Sequence, residues 1–259
     1  MSQYKATISS VQTLMQHDLF AFSSRTCADL FQLDKFQTAR LLQRLEQDGL
    51  IARMERGKYI LLGLSPEQAL SNPLYLGSHL AVPAYVSFWS ALHFHGFTEQ
   101  APITVFLAVP RRKKEVVFRD THFKFVRIDP SAFFGYRREM VTGLPVLVAD
   151  EAKSIVDSLC RPHYAGGVAE IANALRNAIA GQAVDVPTLA DYTRRLDNRS
   201  LSSRLGCLLE MLGQPAGDLA AARGPLRLDP RRPRSGTFNA RWQVYINVPQ
   251  QILFPEGVA

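Results

Sequence analysis

At 259 residues the chain is longer than one ordinary domain, and 47% hydrophobic content is enough to build a packed core in each of two. Thirty Lys and Arg against 23 Asp and Glu leave a net charge of +7, which favours a polyanionic partner. The odd, scattered cysteines Cys27, Cys160 and Cys207 fit neither a disulfide framework nor a zinc knuckle, and no apolar run is long enough for a bilayer, so a cytoplasmic protein with reduced thiols is expected.

In chain order, Ile8, Val11, Leu14 and Met15 predict an amphipathic first helix, and Leu19 to Phe22 a brief extended piece. Ser23 or Ser24 caps a short second helix ending near Phe31. Asp34 with Gln37 three residues later has the capping-box spacing and predicts a third helix, ended by Asp48-Gly49. Along it Phe36, Ala39, Leu42 and Leu45 are expected on the packed face, with Lys35, Gln37, Arg40, Gln43, Arg44 and Gln47 on the remaining surface. Leu50-Ile51 and Lys58 to Leu62 then read as two strands around the tip Glu55-Arg56-Gly57. That order is the winged helix-turn-helix, whose third helix is sized for the DNA major groove. Gln37, Thr38, Arg40, Gln43 and Arg44 are candidates for base edges, and Lys35, Arg53, Arg56 and Lys58 for phosphates. Residues 1 to 65 carry three Lys and five Arg against four Asp and two Glu, a net of only +2, so the rest of the protein or a homodimer on DNA would add affinity.

The expected domains are a winged helix over residues 1–64, a linker over 65–74 and a mixed α/β domain over 75–259, giving an α+β chain. Within the second domain a helix is predicted over Ser87 to His95. Strands are predicted over Ile103 to Val109, Val116 to Phe118, Phe123 to Ile128 and Pro145 to Ala149, and a helix over Asp150 to Leu159. A helical subregion follows, marked by Val168, Ile171, Leu175 and Ile179, by Leu189, Tyr192 and Leu196 after Pro187, and by Leu201, Leu205, Leu208 and Leu212. From Arg223 to Arg241 six arginines face one acid, Asp229, a net of +5. Trp242 to Val248 reads as a closing strand.

Two features compete for a chemical role. The apolar strand leading into Glu151 and Lys153 has the pattern of metal-dependent nucleases, whereas the plainer reading puts Asp150 and Glu151 at a helix start, where the macrodipole favours acids. Arg111, Arg112, Lys113 and Lys114 with Arg119, Lys124 and Arg127 set seven bases against Glu115 and Asp120, again net +5, as a second DNA-contacting patch or a solubilising turn. His93 and His95 are two apart and point to different sides of a helix, unsuited to one metal. No nucleophile elbow or Walker loop occurs, and no catalytic residue, metal or cofactor is expected.

The segments LLQRLEQDGLIARMERGKYIL, SFWSALHFHGFTEQAPITVFLAVPRRKK, FFGYRREMVTGLPVLVADEAKSIVDSL, RLGCLLEMLG and RWQVYIN, in that order and spacing, resemble the AbiEi family of antitoxins of type IV toxin-antitoxin systems. The resemblance implies a winged helix fused to a mixed α/β antitoxin domain, and repression of the chain's own operon through inverted repeats in promoter DNA. It also implies a nucleotidyltransferase-like toxin opposed without a stable complex, with Lys35 to Gln47 as the reading helix and Arg53 to Lys58 as the wing. A metal-dependent nucleic-acid enzyme using Glu151 and Lys153, or a ligand-sensing transcription factor, stand as the alternatives.

Overall fold

Helix-start chemistry organises the first third of the chain. A computed structural model describes residues 2–62 and 66–255. Its first elements are helix α1 (Ser2–Gln16), strand β1 (Ala21–Ser23), helices α2 (Ser24–Phe31) and α3 (Lys35–Gln47), and strands β2 (Ile51–Glu55) and β3 (Lys58–Leu61). Ser23 caps α2 by accepting from the Thr26 amide at 3.0 Å. Before α3 the full capping box forms: Asp34 accepts from the amides of Phe36 and Gln37, and Gln37 Oε1 accepts from the Asp34 amide at 3.0 Å. The three strands make an antiparallel sheet in the order β1-β3-β2. Val11, Leu14, Phe22, Cys27, Leu42, Leu45, Ile51 and Leu61 close a first core beneath it. Burial there pushes the Cys27 thiol up to about 11, so it packs as a small apolar group.

The hairpin is buried on both faces. Ile51 and Leu61 are paired across it and belong to the first core, whereas Met54 and Ile60 belong to a second core with Tyr75, Leu76 and Leu80. A register shift between Arg53 and Glu55 marks an irregularity that sends Met54 inward and leaves Arg53 exposed.

Of the stretch 65–74 expected as a linker, residue 65 lies, with 63 and 64 before it, outside the described residues, and the rest is mostly helical. Helix α4 (Pro66–Leu70) is followed by α5 (Pro73–Leu80), capped by Asn72, whose Oδ1 accepts from the Tyr75 amide at 2.9 Å. Pro66 and Pro73 occupy the first helical turn, where a missing N–H costs nothing. The Pro, Ser and Asn content thus marks two helix starts.

Strand β4 (Tyr85–Val86), helix α6 (Phe88–Phe94) and strands β5 (Thr104–Val109), β6 (Val116–Phe118), β7 (Thr121–Arg127), β8 (Tyr136–Val141) and β9 (Leu144–Ala149) follow. They form a mixed sheet in the order β6-β7-β5-β4-β9-β8, with β5/β7 and β4/β9 parallel. Helices α7 (Glu151–Cys160), α8 (Val168–Ala180), α9 (Val186–Arg195) and α10 (Arg199–Met211) build a third core of Ile155, Leu159, Ile171, Leu175, Leu189 and Leu208. Strands β10 (Leu226–Arg227), β11 (Thr237–Asn239) and β12 (Val244–Ile246) form a small sheet, and α11 (Gln250–Leu253) is the last described helix. The closing strand is shorter than the expected 242–248 because Trp242 turns into the third core. There it lies so close to α10 that a Cβ at Gly206 would meet its ring at 2.4 Å. The chain is a mixed α+β protein, and among the described residues no helix is long and apolar enough to cross a membrane.

Candidate nucleic-acid interface

Helix α3 packs through Thr38, Leu42 and Leu45, with Leu41 half-buried beside them. This i, i+4, i+7 set corrects the expected face: an interval of three residues falls about 60° short of a turn, so from Phe36 to Leu45 the set drifts about 180° around the helix. Phe36 is accordingly 85% exposed and Ala39 is exposed too. The outward pole holds Phe36, Arg40, Gln43 and Gln47. Thr38, expected at base edges, is instead buried, and its hydroxyl donates to Asp34 O at 2.7 Å. Gln37 is exposed, but its amide oxygen is taken by the capping box, leaving the amide nitrogen for a ligand. Arg44 is half-buried in the last turn, where a cation suits the carbonyl end of the helix.

A groove of about 500 Å³ runs between α2, α3 and the hairpin. Lys35 enters it from α3, Arg53 and Arg56 from the hairpin, and Arg25 from α2, with Thr38, Ala39 and Leu42 as its floor. Arg25 was missed in the sequence because its neighbour Asp29 neutralises the local charge pattern; in space the two are 3.9 Å apart and both largely exposed, a pairing worth little. The tip is fixed in place by the Ser24 amide donating to Gly57 O at 2.9 Å. Gly57 adopts φ +74°, which glycine tolerates without strain. Four cations thus converge on one groove beside a polar helix face, an arrangement suited to phosphates next to a base-reading surface.

Two other residues expected to contact DNA, Lys58 and Lys113, are tied into the fold. Lys58 Nζ lies 3.3 Å from the Glu55 carboxylate and donates to Leu80 O, and Lys113 Nζ donates to both Glu55 oxygens at 2.7 and 2.8 Å. Lys113 also lies 5.1 Å from the centre of the Phe125 ring. Both lysines therefore join the hairpin to the region of the large sheet, a role set by Glu55 that no spacing in the sequence reveals. Arg111, Arg112 and Lys114 around Lys113 are exposed, so the bridge carries three outward cations to the side of the hairpin.

Glu151 and Lys153 do not share a site. Glu151 is held by a forked pair of bonds from Arg137 at 2.6 and 2.7 Å, which keeps its carboxyl down to about 2. Lys153 is fully buried; its Nζ donates to Tyr85 OH at 2.9 Å and to Asp157 Oδ1. The other Asp157 oxygen accepts from Tyr85 OH at 2.9 Å and Ser87 Oγ at 2.8 Å. Asp150 caps α7, accepting from the Lys153 amide at 2.7 Å, as the helix-start reading expects. Among the described residues no group of three or more His, Cys, Asp or Glu could hold a metal ion.

No protein-family model matches the chain, and no curated protein matches it. Among solved structures it is similar to the crystal structure of the RV2827C protein from Mycobacterium tuberculosis, at 14% identity and a TM-score of 0.61. The likeness covers 90% of this chain and 88% of that one. At so low an identity it is a likeness of fold alone, extending over nearly the whole of both chains.

Proposed function

We propose that the chain is a cytoplasmic, non-catalytic, sequence-specific regulator that binds double-stranded DNA, with the winged helix expected over residues 1–64 as its reading module. The observation that carries this reading is the groove, where Arg25, Lys35, Arg53 and Arg56 gather beside the outward pole of α3. In this reading α3 enters the major groove. Arg40 and Gln43 meet base edges, and the groove cations meet phosphates beside them. Phe36 gains a role that the sequence did not suggest: an exposed aromatic at the pole of a reading helix is placed to contact the C5-methyl group of a thymine.

The decisive experiment measures binding to the promoter of the chain's own operon at fixed salt. Arg40→Ala should cost about 1–3 kcal/mol and relax preference at one position. Phe36→Ala should weaken binding to the thymine-containing site and leave a uracil-substituted site unchanged, since uracil lacks only the methyl. If both variants fold and bind like the native protein, α3 does not read the DNA.

The AbiEi resemblance extends the proposal: a dimer on inverted repeats represses the operon, and the second domain opposes a nucleotidyltransferase-like toxin without a stable complex. Co-expression with the neighbouring toxin gene tests this. Rescue from toxicity by a protein carrying Arg40→Ala and Arg53→Ala, which should no longer repress, would separate antitoxin activity from DNA binding.

A further inference from the structure

A second pocket, of about 340 Å³, lies on the face of the large sheet and shares no residue with the groove beside α3. Register pairs Thr104 with His122 and Phe106 with Lys124 across β5 and β7, so two-residue alternation puts all four side chains on one face as the pocket floor. His163 and Tyr164, from the turn after α7, form one wall. Arg231 forms another and comes from the arginine-rich segment that the DNA reading leaves without a role.

That segment is held firmly. Asn247 accepts from the Asp229 amide and donates to the carbonyls of Asp229 and Pro233, each at 2.9 Å, and the Arg231 amide donates to the Asp229 carboxylate at 2.9 Å. Neighbouring arginines are engaged within the segment or on its sheet: Arg227 donates to Arg232 O, Arg232 pairs with Asp229 at 3.5 Å, and Arg234 stacks 4.2 Å from the Tyr245 ring centre. Arg231 lines the pocket, presented on a backbone that needs no ordering when a ligand arrives.

Two cations, Lys124 and Arg231, and the imidazole of His163 converge here from three separate parts of the chain. His163 is held below its ordinary range first by burial and then by the charges of Arg231, Arg161 and Lys124. The one carboxylate at the pocket, Glu115, sits 2.8 Å from Lys124 on an exposed side chain, a pairing easily exchanged for a stronger anion. We propose that this pocket binds the phosphate group of a small molecule, with Arg231, Lys124 and His163 as its contacts. Its volume falls at the small end of ligand sites, about the size of a mononucleotide. The inference is independent of the DNA reading.

Calorimetric titration of the full-length protein with inorganic phosphate, AMP and adenosine tests it. Phosphate or AMP should bind saturably and adenosine should not; tighter binding of AMP than of phosphate identifies an organic phosphate, and equal binding identifies free phosphate. Arg231→Ala and His163→Ala should each weaken that binding about tenfold or more, whereas Arg223→Ala, outside the pocket, should not change it. Thermal melting of each variant verifies the fold. Absence of binding at millimolar phosphate and AMP would overturn the proposal. So would binding indifferent to both substitutions, or displacement of AMP by duplex DNA through Arg231, which would reassign the surface to the nucleic-acid backbone.

Discussion

Replacing Lys153 by Met tests the most sharply defined polar feature of the interior. Lys153 and Asp157 lie one turn apart on α7, both buried, and the carboxylate is completed by hydroxyl donors from Tyr85 and Ser87. Removing the cation leaves a buried carboxylate with two neutral donors, a change that costs about 3–5 kcal/mol when one partner of such a pair is lost. Against a total stability of about 5–15 kcal/mol this is severe, and it should lower Tm by roughly 6–20 °C. Replacing both residues, Lys153→Met with Asp157→Asn, should recover most of the loss. The charge is gone, yet the Asn side-chain oxygen still accepts from Tyr85 and Ser87, avoiding the about 1–3 kcal/mol cost of each orphaned hydroxyl. Urea denaturation of the native protein, both single variants and the double variant gives the coupling directly. A Lys153→Met protein within about 1 kcal/mol of native, or a double variant as unstable as the sum of the singles, would refute the view that this pair is a dry, mutually dependent unit.

Under the DNA reading, Arg56→Ala should weaken binding to all sequences alike and reduce the slope of log affinity against log salt by roughly one unit, measured by titration at several salt concentrations; a changed base preference would refute its phosphate role. Thr38→Ala should cost about 1 kcal/mol of stability by urea denaturation while leaving sequence preference intact, because its hydroxyl is bonded to Asp34 O inside the helix start. Glu151 has a folded carboxyl depressed to about 2 from an ordinary value of 4.5, so its ion pair with Arg137 stabilises the fold above about pH 4.5 and is lost as pH falls toward 2. With partial solvent screening the expected loss is about 1 kcal/mol, absent in Glu151→Gln, and acid denaturation of both proteins measures it.

The features legible in the sequence are those in which neighbours along the chain do the work. Asp34 and Gln37 announce a helix start because both halves of the capping box lie three residues apart, and β5 and β9 announce themselves as short apolar runs. The packed face of α3 is not legible in the same way, because a spacing of three resembles helical periodicity over one turn and departs from it over three: the pattern places Phe36 inside and leaves Thr38 outside, and the structure has them the other way round. Strand β8 was not anticipated: it lies at the edge of the sheet, and Arg137, Arg138 and Met140 face solvent, so it lacks the apolar run of a covered strand. Long-range partners were out of reach altogether. Glu55 with Lys113 and Lys153 with Tyr85 are separated by more than fifty residues, and nothing local in either segment specifies the other.

Those distant partners change what the two parts of the chain are to each other. A wing on a flexible linker would leave α3 and the second domain to move independently, and Arg53 and Arg56 would be tethered through one face of the hairpin only. Instead Ile51 and Leu61 anchor the hairpin to the helices, Met54 and Ile60 anchor it to the core of the large sheet, and Glu55 draws in Lys58 from its own hairpin and Lys113 from beyond β5. Close-packed cores respond to displacement by switching between arrangements rather than by yielding smoothly. Arg53 and Arg56 are therefore positioned by a hairpin that packs against the large-sheet core as well as against the helices. The exposed cations Arg111, Arg112 and Lys114 are held at a fixed offset from the same hairpin, so the basic surface presented to a polyanion is set by the docking of the two parts together.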